Sequence, residues 1–152
     1  MSTTVNYTGR KADIALFGLT NSGTPIDLGL RPTALAITGK LKASQNYIKT
    51  LLSQLSERKE DPTYGSGFVS SLKSRNITFP IQITQAFSSA NLLVLKYLKD
   101  FYDSSVPLDE RIDKVDLLNY SIEPGGKISL TLQLYTQAGE TYVFHLPVAW
   151  SR

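Results

Sequence analysis

The densest group of chemically capable side chains is Asp109-Glu110-Arg111, two carboxylates and a guanidinium at consecutive positions between Leu108 and Ile112. Such a cluster has two uses. The arginine can neutralise its neighbours or bind a backbone carbonyl, stiffening a junction, or it can offer its planar fork of donors to a partner's carboxylates. Buried arginine pairs are often internal, which favours the brace over the partner anchor.

Glu57, Glu60 and Asp61, with Asp109 and Glu110, are the other candidates for paired-carboxylate chemistry such as glycoside hydrolysis. A general acid needs an apolar pocket to raise its pKa, whereas each of these acids has a lysine or arginine close by in sequence. Gly65-Ser66-Gly67 is neither a phosphate loop nor a nucleophile elbow: no Gly-Lys-Ser/Thr follows, and Gly-x-Ser-x-Gly spacing is absent. Ser66 is expected in a tight turn. His145 is the single histidine and cysteine is absent, which removes disulfides, thiolate zinc sites and cysteine nucleophiles. The residues therefore predict no catalytic site, no metal site and no cofactor; the chain reads as a protein that is not an enzyme.

The net charge of +3 arises from 16 basic and 13 acidic residues scattered along the chain. The densest basic stretch, Lys40 to Lys49, reads as the solvated face of a helix rather than a nucleic-acid stripe, leaving a weak basic nucleic-acid-binding module as an alternative only. The N-terminus has no basic segment followed by an apolar one, and no run of about 18 apolar residues occurs. A soluble protein made in the cytoplasm, with no membrane association, is expected.

The elements that must position these residues follow from periodicity. Residues 1–32 hold Gly9, Gly18, Gly23, Gly29, Pro25 and Pro32 around the short apolar run Ile14-Ala15-Leu16-Phe17, and read as an extended arm with one short strand. Residues 33–152 form one domain. Ile37, Leu41, Ile48, Leu52 and Leu55 recur at helical spacing, with Gly39 weakening the first turn so that the firm helix starts near Lys40 and ends near Ser56. Pro62 breaks the chain, Tyr64 to Phe68 turns it, and Val69 to Leu72 predicts one helical turn. Pro80 suits a first helical position, opening a second helix to about Tyr102 with Ile83, Phe87, Val94, Leu98 and Phe101 on one face; Ser88-Ser89 is a candidate break with Ser89 as N-cap.

Beyond the junction, 115–122, 127–136 and 141–148 read as strands joined by Pro124-Gly125-Gly126 and Gln137-Ala138-Gly139. Ile128, Leu130, Leu132 and Leu134 alternate cleanly. In the first strand Val115 and Leu117 have one parity and Leu118, Tyr120 and Ile122 the other, which a β-bulge near Leu117 reconciles. The fold class expected is α+β, with two main helices packed against a C-terminal three-stranded antiparallel meander and an extended N-terminal arm.

The order of these pieces resembles the baseplate wedge proteins that initiate the sheath of contractile phage tails, a family related to a baseplate component of type VI secretion systems. The resembling residues are Asp13-Ile14 and Asp27-Leu28 in the arm, then Gln45 in a helix ending Leu51-Leu52-Ser53-Gln54-Leu55. Asp61-Pro62-Thr63-Tyr64-Gly65-Ser66-Gly67-Phe68 follows, and a second helix leads into Asp109-Glu110-Arg111-Ile112 and the meander. The family's junction is typically Glu-Pro-Arg; here Asp109-Glu110-Arg111 aligns with it as a block, with Pro107 displaced upstream.

The resemblance implies a structural virion protein of the tail baseplate, made in the host cytoplasm and present in multiple copies within a symmetric assembly. Its partners would be other wedge proteins and the tail sheath protein, and its role to join wedge subunits and initiate the sheath. Hand-off would use strand addition on the strand from Thr141 to Val148, with Thr141, Tyr142, Val143, Phe144, His145 and Leu146 as partner-binding residues, or on the neighbouring strand Lys127 to Thr136. Pro147 marks an edge strand. Some members carry a lysozyme-like label, so a cell-wall-degrading hydrolase is the alternative from a different class.

Overall fold

The structure is a computed structural model that describes residues 13–14, 36–74 and 79–149. Two short strands, β1 (Asp13–Ile14) and β2 (Ala36–Ile37), pair antiparallel. They are followed by α1 (Gly39–Leu52), α2 (Phe68–Ser74) and α3 (Pro80–Asp100), then a 3-10 turn at Leu108–Glu110. The chain closes with β3 (Ile112–Glu123), β4 (Lys127–Thr136) and β5 (Thr141–Ala149) as a meander with β4 in the middle. This is the α+β arrangement read from periodicity, with the short α2 added to the two main helices.

Helix α1 begins one residue earlier than expected, because Gly39 adopts φ +64° and turns the chain sharply out of β2. Ile37, which kept helical spacing with Leu41, is buried in β2 instead. The helix stops at Leu52 rather than near Ser56: Ser53 is extended, and its hydroxyl donates to the Lys49 carbonyl (2.7 Å). Leu55 accordingly lies outside the helix and is exposed.

Pro80 occupies the first turn of α3, where a missing N–H costs no helical bond, and the Phe79 N–H donates to Gln82 Oε1 (3.1 Å). The helix runs unbroken through Ser88-Ser89, both of which face solvent and so do not compete for the buried side. Ile83, Phe87 and Val94 are buried as their spacing requires; Phe101, at the C-cap, is 61% exposed.

The core lies between the helices and one face of the sheet. Ile128, Leu130, Leu132 and Leu134 of β4 are fully buried, as are Phe144 and Leu146 of β5, and they meet Tyr47, Ile48, Leu51, Phe68, Ile83 and Phe87. Each such aliphatic or aromatic side chain contributes roughly 1.5–3 kcal/mol on leaving water. One polar chain threads this core: the Tyr47 hydroxyl donates to Asn91 Oδ1 (2.7 Å), and Asn91 Nδ2 donates to the Val115 carbonyl (3.1 Å), tying α1, α3 and β3 together. Burial pushes the Tyr47 hydroxyl pKa far up, so it remains a donor.

The parity change in β3 is resolved where the sequence places it. Leu117 opposes Leu132 and Asn119 opposes Thr131, so Leu118 is an inserted residue, and Val115, Leu117, Tyr120 and Ile122 all align with core-facing positions of β4. A second register shift falls between Ile112 and Lys114. The expected arm strand is represented by β1; residues 15–17, Asp27-Leu28 and the arm's prolines lie outside the described residues.

Candidate functional site

The junction cluster is built on the 3-10 turn, which brings Asp109 and Glu110 to the start of α1 and sends Arg111 toward the 103–106 loop. Glu110 turns inward and is buried, its Oε1 accepting the Gly39 N–H (3.2 Å) and its Oε2 pairing with Lys42 Nζ (3.0 Å). It thus satisfies one of the orphan donors at the start of α1, which lacks a side-chain cap of its own at Thr38. Asp109 packs against the same glycine: a Cβ at Gly39 would lie 3.1 Å from Asp109 Oδ2. Gly39 is therefore held by both its φ and this contact.

Arg111 is half-buried, and its donors go to its own chain. Nε donates to the Val106 carbonyl (2.9 Å) and Nη2 to the Asp103 carbonyl. The brace is thus a guanidinium gathering the 103–106 loop, not a bridge to Glu110. The Tyr102 hydroxyl accepts the Ile112 N–H (3.0 Å) and so stitches the same loop to the start of β3; burial raises its pKa.

A cleft of about 300 Å³ opens beside Glu110. Lys42, Asn46 and Lys49 contribute one stripe of α1, at the four- and three-residue intervals that align side chains on a helix. The opposite wall is an aromatic ladder: the Arg58 guanidinium lies 3.8 Å above the Tyr64 ring, Tyr64 meets Tyr97 edge-on at 5.5 Å, and Tyr97 tilts against Phe101 at 4.8 Å. Tyr97 donates to Asp61 Oδ2 (2.8 Å), and its pKa is pushed up to about 12 by burial first and by that bond second. Asp61 also accepts from Thr63 Oγ1 (2.6 Å) and the Thr63 N–H (3.1 Å); its pKa is lowered, the Thr63 hydroxyl being the largest cause and Tyr97 the next.

The Asp61 to Phe68 segment is folded by these bonds and by Ser66. The Ser66 hydroxyl is buried, donating to the Leu51 carbonyl (2.6 Å) and accepting the Phe68 N–H (3.1 Å), which starts α2. The turn expected at Gly65-Ser66-Gly67 falls instead at Pro62-Thr63, closed by the Tyr64 N–H on the Asp61 carbonyl (3.2 Å); residues 64–67 are irregular, and Ser66 is a structural link between α1 and α2.

Two sequence elements far apart are brought together by β1. Asp13 Oδ2 accepts from Gln45 Nε2 (3.1 Å) and lies 3.7 Å from Lys49 Nζ, so the arm strand is anchored on α1. Lys42 and Lys49, read as a solvated face, are each committed to an acid from a distant element. Pairing at such distances in sequence gives no local signal; only the Lys42, Asn46, Lys49 spacing hinted at a shared face.

β5 is one of the two outer strands of the meander. Its side chains alternate: Tyr142, Phe144 and Leu146 are buried in the core, while Val143 and His145 are half-buried on the opposite face and Thr141 is exposed. His145 Nδ1 lies 2.9 Å from Thr131 Oγ1 across the strands, a hydrogen bond that accounts for the lone histidine. The neighbouring strand β4 is paired on both sides along its length, so it has no edge to offer, correcting the expectation that it could accept a strand.

The direction of the backbone groups on β5 follows from the register. The Val115 carbonyl accepts from Asn91 and so points away from β4; Leu134 opposite it must turn its own groups toward β5, where Tyr142 bonds back. With a period of two, the N–H groups of Thr141, Val143 and His145 point outward, and the next such position is Pro147, which has no N–H to place there.

Among the described residues no group of three or more His, Cys, Asp or Glu side chains is placed to hold a metal ion, and no helix is long and apolar enough to cross a membrane. Comparison with protein-family models, with curated proteins and with solved structures found no match.

Proposed function

We propose that the chain is a structural component of a contractile-tail baseplate wedge that joins wedge subunits and initiates the sheath by accepting a strand along β5. The observation that carries this reading is the contrast between the two outer strands. β3 is interrupted by two register shifts, and α3 occupies its outward carbonyls, with Asn91 on Val115 and Lys99 Nζ on Asp113 (2.9 Å). Bulges and covering side chains are devices that discourage pairing. β5 pairs with β4 in unbroken register from Ala149 to Thr141, and its core side chains hold it flat against the helical layer. A strand added there would be read through main-chain bonds, with the core residues Tyr142, Phe144 and Leu146 supplying rigidity and Thr141 and His145 the outward edge.

The hydrolase alternative requires two carboxylates across a cleft, about 5–10 Å apart, one with a raised pKa. Glu110, the one carboxylate among the described residues lining the cleft beside α1, has its two oxygens occupied by Gly39 and Lys42, which favours the structural role.

Proline substitution tests strand addition, because it removes one outward N–H while leaving the β4 ladder intact. Thr141→Pro and His145→Pro should each stop sheath growth, scored by electron microscopy of tails assembled in the host, while circular dichroism of the isolated domain is retained. His145→Ala, which removes the bond to Thr131 but keeps the amide, should assemble normally. Full-length sheaths on both folded proline variants would overturn the proposal.

A further inference from the structure

We infer that the cleft between α1 and the aromatic ladder is a binding site for a carboxylate-bearing peptide segment of a protein partner, one acid beside an aromatic or aliphatic residue. The inference stands apart from strand addition, since the cleft is formed by α1, the 58–64 loop and the end of α3 rather than by the sheet.

The cations set the ligand's charge. Lys42, Lys49 and Arg58 line the cleft, with Glu110 as the one lining carboxylate among the described residues. Lys42 is drawn to Glu110 and Lys49 toward Asp13 at 3.7 Å, whereas Arg58 lies over the Tyr64 ring at 3.8 Å and feels Asp61 of its own loop only through space. A guanidinium stacked this way keeps its in-plane N–H groups available for bidentate bonding, the geometry that matches a carboxylate. Stacking also immobilises the side chain before the ligand arrives, so less freedom is lost on binding.

The walls set what accompanies the charge. Phe101 is 61% exposed where the ladder ends, and Leu98 and Val106 continue an apolar surface. A volume near 300 Å³ is at the lower end of small-ligand sites and suits one or two side chains, not a folded domain. A nucleic-acid backbone fits poorly. Glu57, Glu60 and Asp61 surround Arg58 in its loop, and Asp100 and Asp103 flank Phe101 and Tyr102, so a chain of phosphates would meet repulsion on both sides. A single carboxylate sets only one charge against these acids, whereas every further phosphate of a nucleic-acid backbone adds another.

The test is a nuclear magnetic resonance titration of the 15N-labelled full chain with N-acetyl-Glu-Phe-amide, with N-acetyl-Gln-Phe-amide and with inorganic phosphate. The acidic dipeptide should give saturable shifts centred on the amides of Asn46, Lys49, Tyr64 and Tyr102, with the glutamine isostere about tenfold weaker or more, as expected for loss of a charge-assisted bond. Arg58→Ala should weaken binding by a similar factor, and Arg58→Lys should restore only part of it, because the ammonium keeps the charge without the fork. Unchanged thermal midpoints of both variants would establish that the site, not the fold, was altered. Equal binding of the acidic and glutamine peptides, no saturable shift, or phosphate binding as tightly as the peptide would each overturn the assignment, the last by reducing the cleft to a simple anion site.

Discussion

Replacing Glu110 should destabilise the domain far more than replacing any other acid among the described residues. Glu110 and Lys42 are 3.0 Å apart, with side-chain exposures of 6% and 19%. At an effective dielectric constant of about 20 that separation corresponds to roughly 5 kcal/mol of attraction, most of it offset by taking both charges out of water. Deletion does not recover the offset evenly. Glu110→Ala leaves the Gly39 N–H buried without this acceptor and takes the carboxylate away from the part-buried Lys42 ammonium, so a loss of about 3–4 kcal/mol is expected. Lys42→Ala is milder, about 1–2 kcal/mol, because the Gly39 bond remains and water can enter from the cleft. Glu110→Gln should fall between, since its carbonyl can still accept from Gly39 while its amide meets the ammonium. Urea unfolding of the two alanine variants and their double mutant would measure the coupling, expected at about 1 kcal/mol or more. Thermal midpoints should fall by roughly 2–4 °C per kcal/mol. A Glu110→Ala loss below about 0.5 kcal/mol, or strict additivity in the double mutant, would refute the account of the junction as a buried charged cap on α1.

Gly65 should tolerate no side chain: at φ +98° a Cβ would sit 2.1 Å from the Gln54 carbonyl oxygen, so Gly65→Ala is expected to cost about 3–5 kcal/mol in chemical denaturation, from the disfavoured φ and the forced backbone shift together. Arg111→Ala should lower stability by a smaller amount, about 1–2 kcal/mol, because the Asp103 and Val106 carbonyls it releases can be reached by water; in limited proteolysis the first new cut should fall in the 103–106 loop. The Asp61 carboxyl has a folded pKa below its unfolded value, so its stabilisation is complete above the unfolded value near 4 and is lost as pH falls through the folded one. Urea midpoints measured from neutral pH down to about pH 2 should therefore decline at the acid end, and Asp61→Asn should show a shallower decline.

What the sequence determined by itself was the material that repeats at short range. The strict alternation of Ile128, Leu130, Leu132 and Leu134 admits only a strand with one buried face, and the spacing of Ile83, Phe87 and Val94 after Pro80 admits only a helix buried on that side. The bulge in β3 was legible for the same reason: with a period of two, a change of apolar parity within one strand needs an extra residue, and Leu118 is that residue. The ends of α1 were not legible, because they depend on a positive φ at Gly39 and on Ser53 bonding back to Lys49, and both compete with a helical pattern that continues on paper to Leu55.

The candidate sites divide along the same line. Asp109-Glu110-Arg111 stood out as a cluster, but whether its arginine served a neighbour or a partner depended on which carbonyls came within reach, and the loop from Asp103 to Val106 supplied them. The cleft was invisible in the sequence. Lys42 and Lys49 lie in one helix, Arg58 and Tyr64 in a loop, Tyr97 and Phe101 in another helix, and no local pattern relates them. Charge and ring stacking act through space over a few ångströms, while periodicity records only which face of each element leaves water. The packing of α1 against α3 decided which of the remaining polar faces would meet.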